Sequence, residues 1–195
     1  MTTSSVNYRE TFFEKKELTK IRGEPTYESL QLLIKELKAN ASTVHSNLGG
    51  GEFGLLGLVI SPTSYEMISE TPFVRPTHPG SLTIPQGTTQ HAARTLKEQH
   101  EEALQVFHEV NNVDKALKQQ IVEAVETTYL TPLRNRTTNT INMTVYEVVE
   151  HLFTNYGDID PNDLNTRETT VRAMIYDPKT PIDTLFETIE DLVDV

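Results

Sequence analysis

At 195 residues the chain can bury a core of its own, either as one large domain or as two small helical ones. It has no cysteine, which rules out a disulfide framework and a thiolate metal site. The net charge is −11 and unevenly spread: residues 1–50 hold 7 basic and 6 acidic groups, residues 111–195 hold 7 and 15. Nucleic-acid binding draws on Lys and Arg at phosphates, so the C-terminal half is a poor candidate for direct contact.

The opening stretch, MTTSSVNYRETFFEKKELTK, lacks the apolar centre of a secretory signal. The longest apolar run, Leu55 to Ile60, is interrupted by Gly57 and is far short of a membrane span. A cytoplasmic protein with no membrane attachment is expected. Residues 1–23 read as a flexible polar lead-in that Phe12 and Phe13 could pin. Residues 24–195 read as the helical region, with 24–127 and 128–195 as candidate sub-domains.

Thr26 caps a helix whose inward positions are Leu30, Leu33, Ile34 and Leu37. Ser61-Pro62 places an N-cap and an N1 proline before a short helix carrying Tyr65 and Ile68. Four of the ten prolines fall between Thr71 and Pro85, which predicts an extended connection with no regular helix. From Thr88 to Glu126 one apolar line runs in steps of three and four: Ala93, Leu96, His100, Ala103, Phe107, Val110, Asp114, Leu117, Ile121, Ala124. Eight of those ten positions are apolar, which predicts a narrow stripe facing a partner surface along the whole run. Asn111 and Asn112 are weak helix formers, and Asn111 with Asp114 can start a new helix, so a break is expected between helices near 89–110 and 112–127.

Thr144 then caps a helix that ends at Gly157. Asp160-Pro161 and Thr180-Pro181 open two more, the last with Ile182, Leu185, Phe186, Ile189, Leu192 and Val193 on one side. Leu55–Ile60 and Ser81–Ile84 are the strand candidates, both short. The predicted fold is all-α, a bundle of six to eight helices with a Pro-rich loop and at most a short β-hairpin.

Little in this pattern supplies chemistry. Gly49-Gly50-Gly51-Glu52-Phe53-Gly54 satisfies G-x-G-x-x-G, but it lacks the strand before it and the helix starting inside it that a dinucleotide fingerprint needs, so it reads as a hinge or loop. The six histidines contain no H-E-x-x-H, and His100 reads as a seam-edge residue. Asp114 reads as a helix-start residue. Neither a G-x-S-x-G elbow nor a cysteine nucleophile is present. No catalytic residue, cofactor or metal site is assigned. Arg134-Asn135-Arg136 is the one compact basic element of the C-terminal half, a weak candidate for RNA contact at Arg134 and Arg136 and more commonly a helix-end and loop network.

Several strings carry a family resemblance: Leu56-Gly57-Leu58-Val59-Ile60 with Tyr65, Thr71 through Gly80, Ile84-Pro85-Gln86-Gly87, Tyr129-Leu130-Thr131-Pro132-Leu133-Arg134-Asn135, His151 through Asp158, Tyr176-Asp177-Pro178 and Pro181 through Phe186. In this order, over roughly residues 45–195, they resemble the Gag protein of copia-type LTR retrotransposons, particularly the branch of diatoms and other algae and protists. The resemblance implies a non-enzymatic capsid module that multimerises into a particle around element RNA. It also implies a setting in Gag or Gag-Pol, with the RNA held mainly through parts outside this chain. The family often carries a zinc knuckle or a basic tail, and this chain has neither.

The expected activity is therefore homo-oligomerisation through helix seams, with Leu96, Ala103, Phe107, Leu117, Ile121, Leu185, Ile189 and Leu192 as candidate contact residues. The rival expectation is a helical adaptor that binds a separate protein through the proline-rich 71–85 segment. Neither reading calls for a small-molecule substrate.

Overall fold

The computed structural model describes residues 6–158, 161–175, 178–179 and 181–193. Eight α-helices occur among them: α1 (Tyr8–Thr11), α2 (Tyr27–Ser42), α3 (Pro62–Glu66), α4 (Gln90–Ala124), α5 (Thr127–Leu130), α6 (Val145–Tyr156), α7 (Pro161–Ala173) and α8 (Ile182–Val193). Short 3-10 turns cover Leu48–Gly50, Leu56–Leu58 and Thr131–Leu133. The described residues contain no strand. Leu56–Leu58, expected as part of a strand, is a 3-10 turn, and Ser81–Ile84 is irregular. One isolated antiparallel bridge joins Arg134 to Ile141. The fold is all-α.

The chain divides into two compact units, Met1–Gly157 and Asp158–Val195, not at residue 127. The boundary expected there is absent because α4 and α6 share one core. In the first unit α2 packs against α4 and α6, and α4 against α6. Leu33 and Leu37 of α2, Val113, Leu117 and Ile121 of α4, and Val145, Val148 and Leu152 of α6 are buried together. Each such side chain contributes about 1.5–3 kcal/mol of transfer free energy. The helix starts follow local chemistry. The Thr144 hydroxyl accepts from Glu147 N while Glu147 accepts from Thr144 N, a reciprocal capping box. Thr26 and Ser29 do the same for α2.

The lead-in expected to be flexible is fastened from Asn7 onward. Phe13, Leu18 and Ile21 are core residues, whereas Phe12 is exposed. Asn40 is buried on α2 and holds Lys15 like a strand partner: its Oδ1 accepts from Lys15 N at 2.7 Å and its Nδ2 donates to Lys15 O at 2.9 Å. Gln120, buried on α4, donates to Lys15 O and Lys16 O and accepts from Asn40. Two buried amides thus satisfy one another and the passing backbone, which removes the cost of burying them.

The predicted break in the long helix is also absent. α4 runs unbroken for 35 residues, about 52 Å at the usual rise. Asn111 stays helical because its Nδ2 donates to Phe107 O one turn back and its Oδ1 accepts from Arg75. Asp114 is not a cap but a buried ion-pair partner.

The glycine-rich loop is a packed turn. Gly49, Gly51 and Gly54 have positive φ, and the Tyr65 hydroxyl donates to Gly49 O at 3.0 Å. A Cβ at Gly49 would lie 2.3 Å from the Tyr65 hydroxyl oxygen, so glycine is needed for space as well as conformation.

Candidate assembly surface

After α3 the chain crosses α4 as an extended strap, residues 71–88. It has no regular structure of its own, which follows from prolines that lack an N–H to donate and disfavour the helical conformation of the residue before them. Arg75 anchors it, donating to Asp114 Oδ1 at 3.1 Å and to Asn111 Oδ1 at 3.2 Å. Farther on, the His78 ring stands edge-on to Phe107 with centroids 5.0 Å apart. Gly80 O lies 3.0 Å from His100 Nε2. Strap residues 75, 78 and 80 thus meet helix residues 111–114, 107 and 100, so the strap runs antiparallel to α4. Behind the anchor, Phe73 fills the space left by Gly57 and tilts onto Tyr65.

Asp114 is the centre of this arrangement. Besides Arg75 it accepts from Lys118 Nζ at 2.9 Å and from Val145 N at 3.3 Å, the first residue of α6. One buried carboxylate therefore ties strap, α4 and α6 together, with each oxygen partnered. Such a group is costly to bury alone and stable only as a satisfied set.

The strap and the helices cover the α4 stripe unequally. Every buried residue of α4 lies at Val110 or later. Leu117 and Ile121, taken as assembly residues, are fully buried in this chain's own core and cannot meet a neighbouring copy. Leu96 and Phe107 are half-buried beside the strap, and Ala103 is exposed. Leu82 and Ile84 of the strap leave 37% and 46% of their surface exposed, a further apolar area that the sequence pattern gave no reason to single out. Arg94 and Lys97 form exposed pairs with Glu98 and Glu101 one turn on, each worth a few tenths of a kcal/mol.

In the second unit α7 packs against α8. α8 is strongly one-sided, but α7 is mostly polar and covers only part of its apolar face. Leu185 and Ile189 are half-buried, while Ile182 and Phe186 are 51% and 55% exposed. The side chain of Leu192 lies outside the described residues.

Arg134 and Arg136 share a loop but not a setting. Arg134 donates to Asn139 O at 3.0 Å and closes the turn bridged to Ile141, while Asn135 Oδ1 accepts from Thr137 N and Thr138 N. Arg136 is exposed. The arginine nearest the bundle is thus spent on loop closure.

An open cleft of about 290 Å³ is lined by Glu17, Leu18, Lys20, Gln120, Glu123 and Ala124. Its Glu123 is bonded by Arg9 and Gln119, and the Arg9 hydrogen bond leads the effects that hold its carboxyl below the usual range. Glu109 is different: partial burial raises its carboxyl above the usual range, and its charge helps to raise the nearby Tyr8 phenol, which burial affects more. Among the described residues no three His or carboxylate groups gather as a metal site, and no helix is long and apolar enough to cross a membrane. No family model matches the chain, and comparison with curated proteins and with solved structures yields no match either.

Proposed function

We propose that this chain is a Gag-type, capsid-like module of a copia-type LTR retrotransposon, a non-enzymatic structural protein whose activity is repeated weak association with its own copies around element RNA. The observation that supports the reading is the exposed apolar strip of α8, with Ile182 and Phe186 more than half exposed on a helix that packs against the mostly polar α7. The half-covered first part of α4 adds a second surface on the first unit. Individually weak contacts suit a particle, because closure multiplies them.

The adaptor reading has less support. It needs the proline-rich segment free to act as an extended ligand, and that segment is engaged in cis on α4 through Arg75, His78 and Gly80. Light scattering at rising concentration, at low and at molar salt, tests the self-association reading. Mass should grow with concentration, and more so once salt screens the −11 self-repulsion. A chain that stays monomeric throughout refutes it.

A further inference from the structure

We infer that residues 76–80 of the strap form an acid-released latch on α4, closed while the His78 imidazole is neutral and opened when it takes up a proton. The latch stands whether or not the outer α4 surface serves self-association, because it concerns how the chain covers its own helix.

Two histidines hold Gly80 by its two backbone groups. Gly80 N–H donates to His78 Nδ1 at 2.9 Å, two residues back on the strap. Gly80 O lies 3.0 Å from His100 Nε2 on α4, and a carbonyl only accepts, so that nitrogen carries hydrogen and donates. The first bond fixes the tautomer of His78, with Nδ1 bare and the hydrogen on Nε2. The same ring stands edge-on to Phe107 and His108, with centroids 5.0 and 6.5 Å away. His78 is thus the middle grip of the strap, between the Arg75 anchor and His100.

The two histidines answer acid in opposite ways. Protonated His100 keeps its Nε2 hydrogen, and the charge strengthens the bond to Gly80 O. Protonated His78 carries hydrogen on both nitrogens, so Nδ1 turns from acceptor to donor and faces the Gly80 N–H. No neighbour on α4 offsets that loss. Within one turn of His108 the strap face of the helix holds Leu104 and Asn111, neither of them ionisable. Farther along it stand Glu101, paired with Lys97, and Asp114, taken by Arg75 and Lys118, with Lys115 beside it. Glu102 and Glu109 fall on the opposite side of the helix at about 100° per residue. On the strap itself Arg75 is the only charged residue between 71 and 88. Protonation of His108 as well adds like charge across the 6.5 Å between the rings. Acid therefore releases the His78 grip while Arg75 and Gly80 O stay anchored, and residues 76–79 lift off Phe107.

Amide exchange and imidazole nitrogen shifts of the full chain, read by NMR at about pH 7.5 and about pH 5.5, test this across the range where imidazoles change charge. At the higher pH the His78 ring should carry its hydrogen on Nε2, and the Gly80 amide should be protected. At the lower pH that protection, corrected for the intrinsic pH dependence of exchange, should fall by about two- to tenfold, the span of one net hydrogen bond. Residues 110–124 should keep theirs. His78→Asn places an acceptor that does not titrate two residues before the same amide, as in an Asx turn, and should keep Gly80 protected at both pH values. His78→Ala should leave it unprotected at both. Wild-type protection of Gly80 that ignores acid would overturn the latch, as would a His78 ring with its hydrogen on Nδ1 at the higher pH. An equal acid loss in His78→Asn would assign the effect to another group and overturn it too. So would a loss that spreads equally through residues 110–124, because that is loosening of the whole first unit.

Discussion

The two ends of α4 carry the same stripe in the same register and meet opposite fates. From Val110 to Ala124 the stripe is sealed by α2 and α6, whereas from Ala93 to Phe107 it is only half covered, by a proline-rich strap. Periodicity reports that a helix has an apolar side. It is silent on whether a helix, a strap or another molecule covers that side. Two facing helices interlock rows of side chains, while an extended proline segment touches at isolated points such as Arg75, His78 and Gly80. Sealing tracks the kind of element opposite.

The contrast can be broken most forcefully in the core. Leu117→Ala should cost about 3–4 kcal/mol, read as a lower urea midpoint, whereas Leu96→Ala, on the same stripe but about four turns outside the core, should cost less than about 1 kcal/mol. Equal losses would mean that the outer stripe is as tightly packed as the inner. Next in size is Asp114→Ala, which strands Arg75, Lys118 and the Val145 amide and should cost about 2–3 kcal/mol. Arg75→Ala should separate the two ends more finely. It frees the strap, so amide exchange in residues 71–88 should quicken while protection of residues 110–124 barely changes.

The smallest effect is a pH dependence. The carboxyl of Glu109, raised by burial, binds its proton more tightly folded than unfolded, so its contribution is present below the ordinary Glu value and fades as pH rises through the raised one. Glu123 and Glu147 are lowered and act oppositely, losing their contribution as pH falls through their folded values. Glu109→Gln should therefore raise stability slightly at neutral pH, measured by urea midpoints between about pH 4 and 7. No change would place Glu109 effectively in water.

The residues explain what could be read in advance. Thr26, Ser61-Pro62 and Thr144 with Glu147 announce α2, α3 and α6, because capping is chemistry between neighbours in sequence. The continuity of α4 was illegible for the converse reason. Asn111 and Asp114 look like a helix start until Arg75, far away in sequence, supplies their partner. Asn40 and Gln120 carry no local sign of their burial, since nothing nearby in sequence says that a backbone will cross them. The surface assignment suffered likewise. Leu117 and Leu96 are equivalent by periodicity, and only the packing of α2 and α6 makes one of them core.

Lys16 has a consequence for how the chain is handled. Its ammonium donates to Arg9 O, Glu10 O and Phe13 O, and the Arg9 guanidinium reaches back to Lys16 O. A segment dense in basic residues would ordinarily be shredded by trypsin. Here the carbonyl of Lys16 and its ammonium are both held by hydrogen bonds to α1 and the turn after it, although the residue is exposed. Trypsin should therefore cut after Lys16 more slowly in the native chain than after the first unit unfolds.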